Sequence, residues 1–171
     1  MQNGITPVIF YCNPNIYPRE EYEIRKNECT RYAEALGLEI VDADYDHDNW
    51  LEAVRGMEDE PERGGRCLKC FKLRLLRTAE YAMRHGIKVI TTTLASSRWK
   101  SLDQINEAGK WACDTIDKAS SADADKAVVW WDQNWRRNGL QERRLQIIKE
   151  YDFYNQQYCG CEFSMRGKEQ I

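Results

Sequence analysis

The chain has 171 residues and a net charge of −3, with 42% hydrophobic and 31% charged residues. This length predicts one domain that buries its own core without stabilising disulfides, and the charge excludes a strongly basic protein. Any binding of nucleic acid therefore has to use a local positive face. The first residues lack the basic and apolar regions of a signal peptide, and no apolar run reaches the ~18 residues of a membrane span.

Cysteine usage predicts a reducing environment and therefore a cytoplasmic protein. The chain has seven cysteines, and an odd number argues against the disulfide framework of a secreted protein. Four of the seven lie in two close pairs. Their proximity in the sequence favours metal or redox chemistry for these four.

Short strands alternate with helices along the chain. Residues 8–12 predict a buried strand that stops at an Asn-Pro turn, and Pro18 suits the first turn of a helix that ends at Gly37. Further strands are predicted over 39–43, 88–94 and 127–131, further helices over 48–56, 67–85, 102–116 and 140–151, and a polar loop over 119–125. The alternation predicts an α/β fold with a mostly parallel sheet.

Polar residues follow several of the predicted strands. They are Asn13, Ser96, Ser97 and Asn134. In sheets of this class, functional residues gather at the carboxyl ends of the strands. We therefore expect these side chains to contribute to one site.

The two cysteine pairs are the main candidates for chemistry. Cys67 and Cys70 are predicted at or just before a helix N-terminus, where unpaired N–H groups and the helix dipole favour thiolate over thiol. Gly160 separates Cys159 from Cys161 and permits a tight turn that directs both sulfurs to one partner. From the residues alone, a thioredoxin-like redox pair, a zinc site, an iron–sulfur site and unrelated structural cysteines all remain open.

The remaining cysteines and one histidine favour structural roles. Cys29 and Cys113 lie on or beside the apolar faces of predicted helices, so packing is expected for both. Cys12 ends a strand just before the Asn-Pro turn, where packing is favoured although the thiol could also point into a site. His85 precedes a helix-ending glycine, and a structural interaction with the helix dipole is expected there.

Two charged segments are open to interpretation. The acidic, glycine-containing run Glu58–Gly65 leads into Cys67 and is typical of solvated surface. Residues 134–137, Asn-Trp-Arg-Arg, together with Arg143 and Arg144, combine aromatic and guanidinium groups as a site for a base and phosphates would. A solvated helix face with one core tryptophan explains the second segment equally well.

Five motifs occur in a fixed order along the chain. They are Asn-Pro-Asn-Ile-Tyr-Pro at 13–18, Glu-Pro-Glu-Arg-Gly-Gly-Arg-Cys-Leu-Lys-Cys-Phe at 60–71, Thr-Thr-Thr-Leu-Ala-Ser-Ser-Arg-Trp-Lys at 91–100, Asn-Trp-Arg-Arg at 134–137, and Phe-Tyr-Asn-Gln-Gln-Tyr-Cys-Gly-Cys at 153–161. Together they resemble the QueH-type epoxyqueuosine reductases, from about Val8 to Ser164. These are the cobalamin-independent enzymes of the last step of queuosine synthesis in tRNA.

The resemblance implies an oxidoreductase that converts the epoxide of epoxyqueuosine in tRNA to queuosine. It implies a Rossmann-like, three-layer α/β domain over residues 1–171, with helices on both faces of the sheet. It also implies an iron–sulfur centre, expected as a 4Fe–4S cluster with or without an additional iron, and an electron donor of unknown identity. The ligands that it implies are Cys67, Cys70, Cys159 and Cys161.

We further expect a set of polar, basic and aromatic residues to contact the tRNA. Arg98, Lys100, Arg136 and Arg137 would hold phosphates of the anticodon, and Trp135 would stack on a base. Asn13, Ser97 and Asn134 would complete the substrate site. No residue stands out as the proton donor.

Members of the family carry a further strand upstream of the Asn-Pro turn, which ends in a cysteine-rich segment that contributes to the metal site. The sequence given begins after that segment, and Cys12 occupies a position where the family has a non-ligand residue. The expectation is that the site is assembled differently or is incomplete, and that a sheet edge is exposed. Two alternatives follow, a catalytically inactive tRNA-binding relative and a zinc-stabilised structural module.

Overall fold

The computed structural model describes residues 4–119 and 127–165. In these ranges the elements are β1 (Ile9–Tyr11), α1 (Arg19–Ala35), β2 (Ile40–Asp42), α2 (His47–Ala53), α3 (Gly65–Arg84), β3 (Val89–Ile90), α4 (Leu102–Ala119), β4 (Val129–Trp130) and α5 (Leu140–Glu150), with 3-10 turns at Thr93–Ser96 and Glu162–Ser164. No helix within the described ranges is long and apolar enough to cross a membrane. The polar loop predicted over 119–125 falls, from residue 120 onward, outside the described residues.

The described strands form two small parallel sheets. β1 pairs with β2 in a register that aligns Ile9 with Ile40, and β3 pairs with β4 in a register that aligns Val89 with Val129. Parallel pairs need crossover connections, which helices supply here. The mixture of helices and parallel strands is compatible with the predicted α/β class, although the described strands form two small sheets rather than one.

The chain divides into two compact units, Met1–Leu51 with Ile147–Ile171, and Glu52–Gln146. In the first unit, Tyr11, Ile16 and Tyr22 form a buried cluster. The Tyr22 hydroxyl donates to Asp42 Oδ1 at 2.6 Å and so joins α1 to β2. Burial, followed by the hydrogen bond to Asp42, raises the pKa of this phenol, so it remains a donor at neutral pH.

The second unit is built around α3 and α4. The helical periodicity predicted for these segments is confirmed, because their apolar positions form one buried cluster that includes Phe71, Leu75, Ala79, Ile105, Ala112 and Ile116. Gly109 lies on the same face of α4, directly against the Trp130 ring of β4. The indole nitrogen of Trp130 donates to Asn106 Oδ1 at 3.2 Å and fixes the ring there.

The strand predicted over 88–94 is much shorter in the structure. β3 covers Val89–Ile90, and a 3-10 turn begins at Thr93. The Thr92 hydroxyl accepts the backbone N–H of Leu94 at 3.3 Å and caps this turn. Threonine side chains can end a strand in this way because they offer the backbone a competing acceptor.

Candidate functional site

Cys67 and Cys70 lie in the first two turns of α3, which confirms their predicted place at a helix N-terminus. Cys70 is buried and Cys67 half-buried. The backbone N–H of Arg63 donates to Cys67 Sγ at 3.3 Å. Arg63 has a φ of +66°, in the left-handed region that non-glycine residues rarely adopt. The side-chain amide of Gln104 donates to the Arg63 carbonyl at 2.8 Å and helps to hold this conformation.

The acidic run before α3 is folded against the start of the helix. Glu60 Oε2 accepts the backbone N–H of Gly65 at 2.5 Å and caps α3. The buried guanidinium of Arg66 donates to the carbonyls of Met57 and Glu58 at 3.0 and 2.8 Å. The expectation of solvated surface is therefore wrong for Glu60, because the run supplies the cap of the helix that carries Cys67 and Cys70.

Two guanidinium groups hold the loop that begins in the last residues of the 3-10 turn. The acceptors are the backbone carbonyls of Ala95, Arg98, Trp99 and Lys100. Arg63 donates to the carbonyls of Arg98 and Trp99. Arg136 donates to those of Ala95 and Lys100, and all four distances are 3.0 Å. The two cations are close neighbours, because they donate to the adjacent carbonyls of Trp99 and Lys100, and burial, then the charge of Arg63, lowers the pKa of Arg136. We call residues 95–100, with these contacts, the 95–100 loop.

Residues 134–137 are bound to the same region. Asn134 Oδ1 accepts the backbone N–H of Arg136 at 3.0 Å, and the indole N–H of Trp135 donates to the Thr92 carbonyl at 2.9 Å. This segment precedes α5 rather than lying on a helix face, while Arg137 is exposed. The structure thus brings together six of the predicted substrate residues, namely Ser97, Arg98, Lys100, Asn134, Trp135 and Arg136. Their roles toward phosphates and a base stay predictions.

The Cys159-Gly160-Cys161 segment lies in the first unit, against the residues that follow β1. The Tyr17 N–H donates to the Gly160 carbonyl at 2.8 Å. The guanidinium of Arg25 donates to the carbonyls of Tyr158 and Cys159 at 3.1 and 3.2 Å. Arg25 is in turn paired with Glu21 at 2.7 Å, and both side chains are nearly buried. These contacts hold in place the backbone that carries the Cys159 and Cys161 sulfurs.

Asn13 and Cys12 lie where β1 ends. Cys12 is 6% exposed, as expected of a packed thiol. The Asn13 carbonyl accepts the N–H of Ile16 at 3.2 Å and closes the predicted turn. Both residues belong to the same unit as Cys159 and Cys161.

Cys29 and Cys113 have the packing roles predicted for them. Cys113 is part of the buried cluster of the second unit, and burial, with Asp117 and Asp114 adding to the effect, raises the pKa of its thiol to about 11. Burial also raises the pKa of the Cys29 thiol. With a raised pKa, these two thiols stay neutral near pH 7. A neutral thiol is a poor metal ligand, because metals bind the thiolate. The ring of His85 stacks on Tyr81 at 4.0 Å between centroids.

The four paired cysteines are divided between the units, Cys67 and Cys70 in the second and Cys159 and Cys161 in the first. Within residues 4–119 and 127–165, no three His, Cys, Asp or Glu side chains are grouped as a metal ion would require. No disulfide joins any of the seven cysteines, all of which lie in these ranges. Four sulfur donors are the set that an iron–sulfur cluster or zinc takes, and an N–H directed at one sulfur is typical of such ligands. The joint assignment stays a prediction.

Three residues of these sites were missed in the sequence. Arg63 contributes through a left-handed backbone conformation, which no local pattern indicated. Trp99 is the exposed aromatic of the 95–100 loop, although Trp135 had been expected to meet a base. Arg25 could have been found, because Glu21 lies four residues before it and such pairs are recognisable in a helix.

Replacing Gly160 by alanine should loosen the Cys159-Gly160-Cys161 segment. Gly160 has a φ of +107°, and a Cβ there would lie 2.9 Å from Ile16 Cγ1 and 3.0 Å from Arg25 Nη1. We expect the free energy of unfolding to fall by about 2–3 kcal/mol, measured by urea denaturation.

Gly37→Ala is the matched control for this variant. Gly37 has a φ of +64° with nothing within 4 Å of the added Cβ, so it carries the backbone cost of about 1 kcal/mol alone. Equal losses in the two variants would show that the contacts around Gly160 contribute nothing.

Comparison with known proteins identifies a family and several proteins to which this chain is similar. The model of the family described as epoxyqueuosine reductase QueH matches residues 1–167. Proteins of that name from Histophilus somni and Haemophilus influenzae are 46% and 45% identical over 164 and 166 residues, which are 96% and 97% of this chain but 64% of each relative. The protein of that name from Acinetobacter baylyi is 46% identical over 166 residues, 97% of this chain and 72% of its own. The chain thus spans less than two thirds of the length of the first two.

Proposed function

Since the chain belongs to the epoxyqueuosine reductase QueH family, we propose that it reduces the epoxide of epoxyqueuosine in tRNA to give queuosine, in the cytoplasm. One observation supports this proposal most directly. Arg63 donates its N–H to Cys67 and its guanidinium to the 95–100 loop, so a candidate ligand and a candidate RNA-contacting loop are joined through one residue. A tRNA-modifying reductase requires this proximity of redox group and substrate contacts.

We propose that Cys67, Cys70, Cys159 and Cys161 hold an iron–sulfur centre, with four thiolates that complete the ligand set of one 4Fe–4S cluster. When bound, such a centre delivers electrons one at a time and acts as a Lewis acid. The chain's own part is to present the ligands. Arg63 directs an N–H at Cys67 Sγ, while Arg25 holds the backbone that carries Cys159.

The reaction consumes two electrons and two protons. Removal of the epoxide oxygen as water leaves a carbon–carbon double bond, and a separate electron donor has to supply the electrons. No side chain is assigned as the proton donor. We propose that Asn13, Ser97, Arg98, Lys100, Asn134, Arg136 and Arg137 bind the tRNA, with the guanidinium and ammonium groups near phosphates.

We also propose that the two parallel strand pairs are parts of a Rossmann-like, three-layer domain over residues 1–171. The support is the alternation of strands and helices and the parallel pairing in both units. In such a domain, residues that follow the strands would share one edge of the sheet.

Metal and sulfide analysis of anaerobically purified protein, followed by a reduction assay, tests the proposal. We expect iron with acid-labile sulfide, and conversion of epoxyqueuosine to queuosine in tRNA when dithionite is added. Mass spectrometry of the digested nucleosides measures the conversion, and a reaction without dithionite is the control. Zinc without sulfide would indicate the structural module instead, and a complete iron–sulfur centre without conversion would indicate the inactive relative.

A further inference from the structure

Trp99 is a large apolar side chain in an unusual position. It lies at the tip of the 95–100 loop with 65% of its surface exposed, more than any other large hydrophobic residue among those described. The guanidinium carbon of Arg98 lies 4.8 Å from the centroid of its ring. An indole held in water with a cation on one face still has its other face available for a partner.

The backbone beneath Trp99 is held in place. The Trp99 carbonyl accepts a hydrogen bond from Arg63, and the carbonyl of Lys100 accepts one from Arg136. The Lys100 N–H donates to the Ser97 carbonyl at 3.2 Å, which closes a turn across the tip. Because these hydrogen bonds already order the loop, binding of a partner to Trp99 does not incur the entropic cost of ordering it.

The charge of the loop favours an anionic partner. Residues 95–101 contain Arg98 and Lys100 and no acidic residue. Arg63 and Arg136 add two positive charges directly behind the carbonyls. Proteins bind single-stranded nucleic acid with this combination of side chains: the aromatic ring stacks on a base, and the neighbouring cations contact the phosphates.

Trp135 is less suited to this role. It is half-buried, and its indole N–H donates to the Thr92 carbonyl at 2.9 Å. Its ring also meets Trp131 edge-on at 5.6 Å between centroids. These contacts describe a side chain that supports the start of the 3-10 turn rather than one that receives a ligand.

We propose that Trp99, flanked by Arg98, is a stacking platform for an unpaired base of an RNA strand. That the RNA is a tRNA rests on the proposed function, whereas the platform itself rests on the geometry of the loop. The same Arg63 that holds the Trp99 carbonyl donates its N–H to Cys67, so a base stacked on Trp99 is anchored beside the start of α3.

Binding of an RNA hairpin with seven unpaired loop nucleotides tests the proposal. We expect Trp99→Ala to weaken binding about 5- to 150-fold, the range measured for the loss of one stacked base, and Trp99→Phe to retain most of it. Fluorescence anisotropy at one fixed salt concentration measures the dissociation constant. A duplex with the stem sequence should bind weakly, and Trp99→Ala should change its binding less than twofold.

Trp111→Ala is the matched control. Trp111 is also exposed, on α4 of the same unit, and Lys72 lies 5.6 Å from the centroid of its ring. We expect this variant to bind the hairpin as the wild type does. An equal loss in both tryptophan variants would overturn the proposal, because it would show a general contribution of exposed rings.

Three further results would overturn the platform. They are no hairpin binding by the wild type, unchanged binding by Trp99→Ala, and full binding by Trp99→Leu, which would indicate an apolar contact of the kind a protein partner makes. The reduction assay separates this proposal from the proposed function. Trp99-dependent hairpin binding without conversion of epoxyqueuosine refutes the reductase alone, and conversion with Trp99-independent binding refutes the platform alone.

Discussion

Replacing Cys67 by alanine is expected to yield a protein that lacks its iron–sulfur centre and leaves epoxyqueuosine in tRNA unreduced. The variant removes one of four proposed thiolate ligands and the acceptor of the Arg63 N–H. A cluster left with three cysteine ligands is open to water and to loss of iron. We expect iron and sulfide to fall to less than about a tenth of the wild-type content, with conversion below detection.

Cys113→Ala is the matched control for this experiment. Cys113 lies in the buried cluster of the same unit, with its thiol pKa raised to about 11, and it has no proposed role toward metal. This variant should retain its iron and its activity. Circular dichroism establishes that both variants are folded. Full iron content in Cys67→Ala would contradict the ligand assignment, because the cluster would then have all its ligands without this sulfur.

Gly109→Ala should be the most destabilising single-methyl change in the second unit. A Cβ at Gly109 would overlap the Trp130 ring, and a movement of the ring away from it would break the hydrogen bond from the indole nitrogen to Asn106. Overpacking of this kind costs about 3 kcal/mol, and the better helix propensity of alanine returns about 1 kcal/mol. We expect a net loss of about 2 kcal/mol in the free energy of unfolding, measured by urea denaturation.

A double-mutant cycle with Trp130→Leu identifies the cause. The smaller leucine should relieve the overlap, so Trp130→Leu should cost much less in the Gly109→Ala background than in the wild type. Additive losses would show that the ring and the added methyl do not meet. Because β4 leads directly into residues 134–137, we also expect Gly109→Ala to weaken hairpin binding, whereas the double mutant should recover part of it.

The sequence by itself determined the elements and the family. Apolar positions such as Phe71, Leu75 and Ala79 recur with helical period, and burial on one face of α3 follows from that period alone. The cysteine pairs and the five motifs were sufficient to name the QueH family, since they are local features with characteristic neighbours. The four strands were predicted in place, although as members of one sheet, whereas the described strands form two separate pairs and β3 and β4 are shorter than predicted.

The tertiary structure decided what the charged residues do. Arg63 reaches a carbonyl 36 residues away and Arg136 one 41 residues away. Periodicity reports which face of an element is buried, but such long-range hydrogen bonds depend on how the elements pack. For that reason Arg63, within a run expected to be solvated, proved to join Cys67 to the 95–100 loop, and Trp99 rather than Trp135 proved to be exposed. The physical reason is that a hydrogen bond between distant residues forms only where folding brings a donor within reach of a carbonyl, and only the folded chain determines which cation that is.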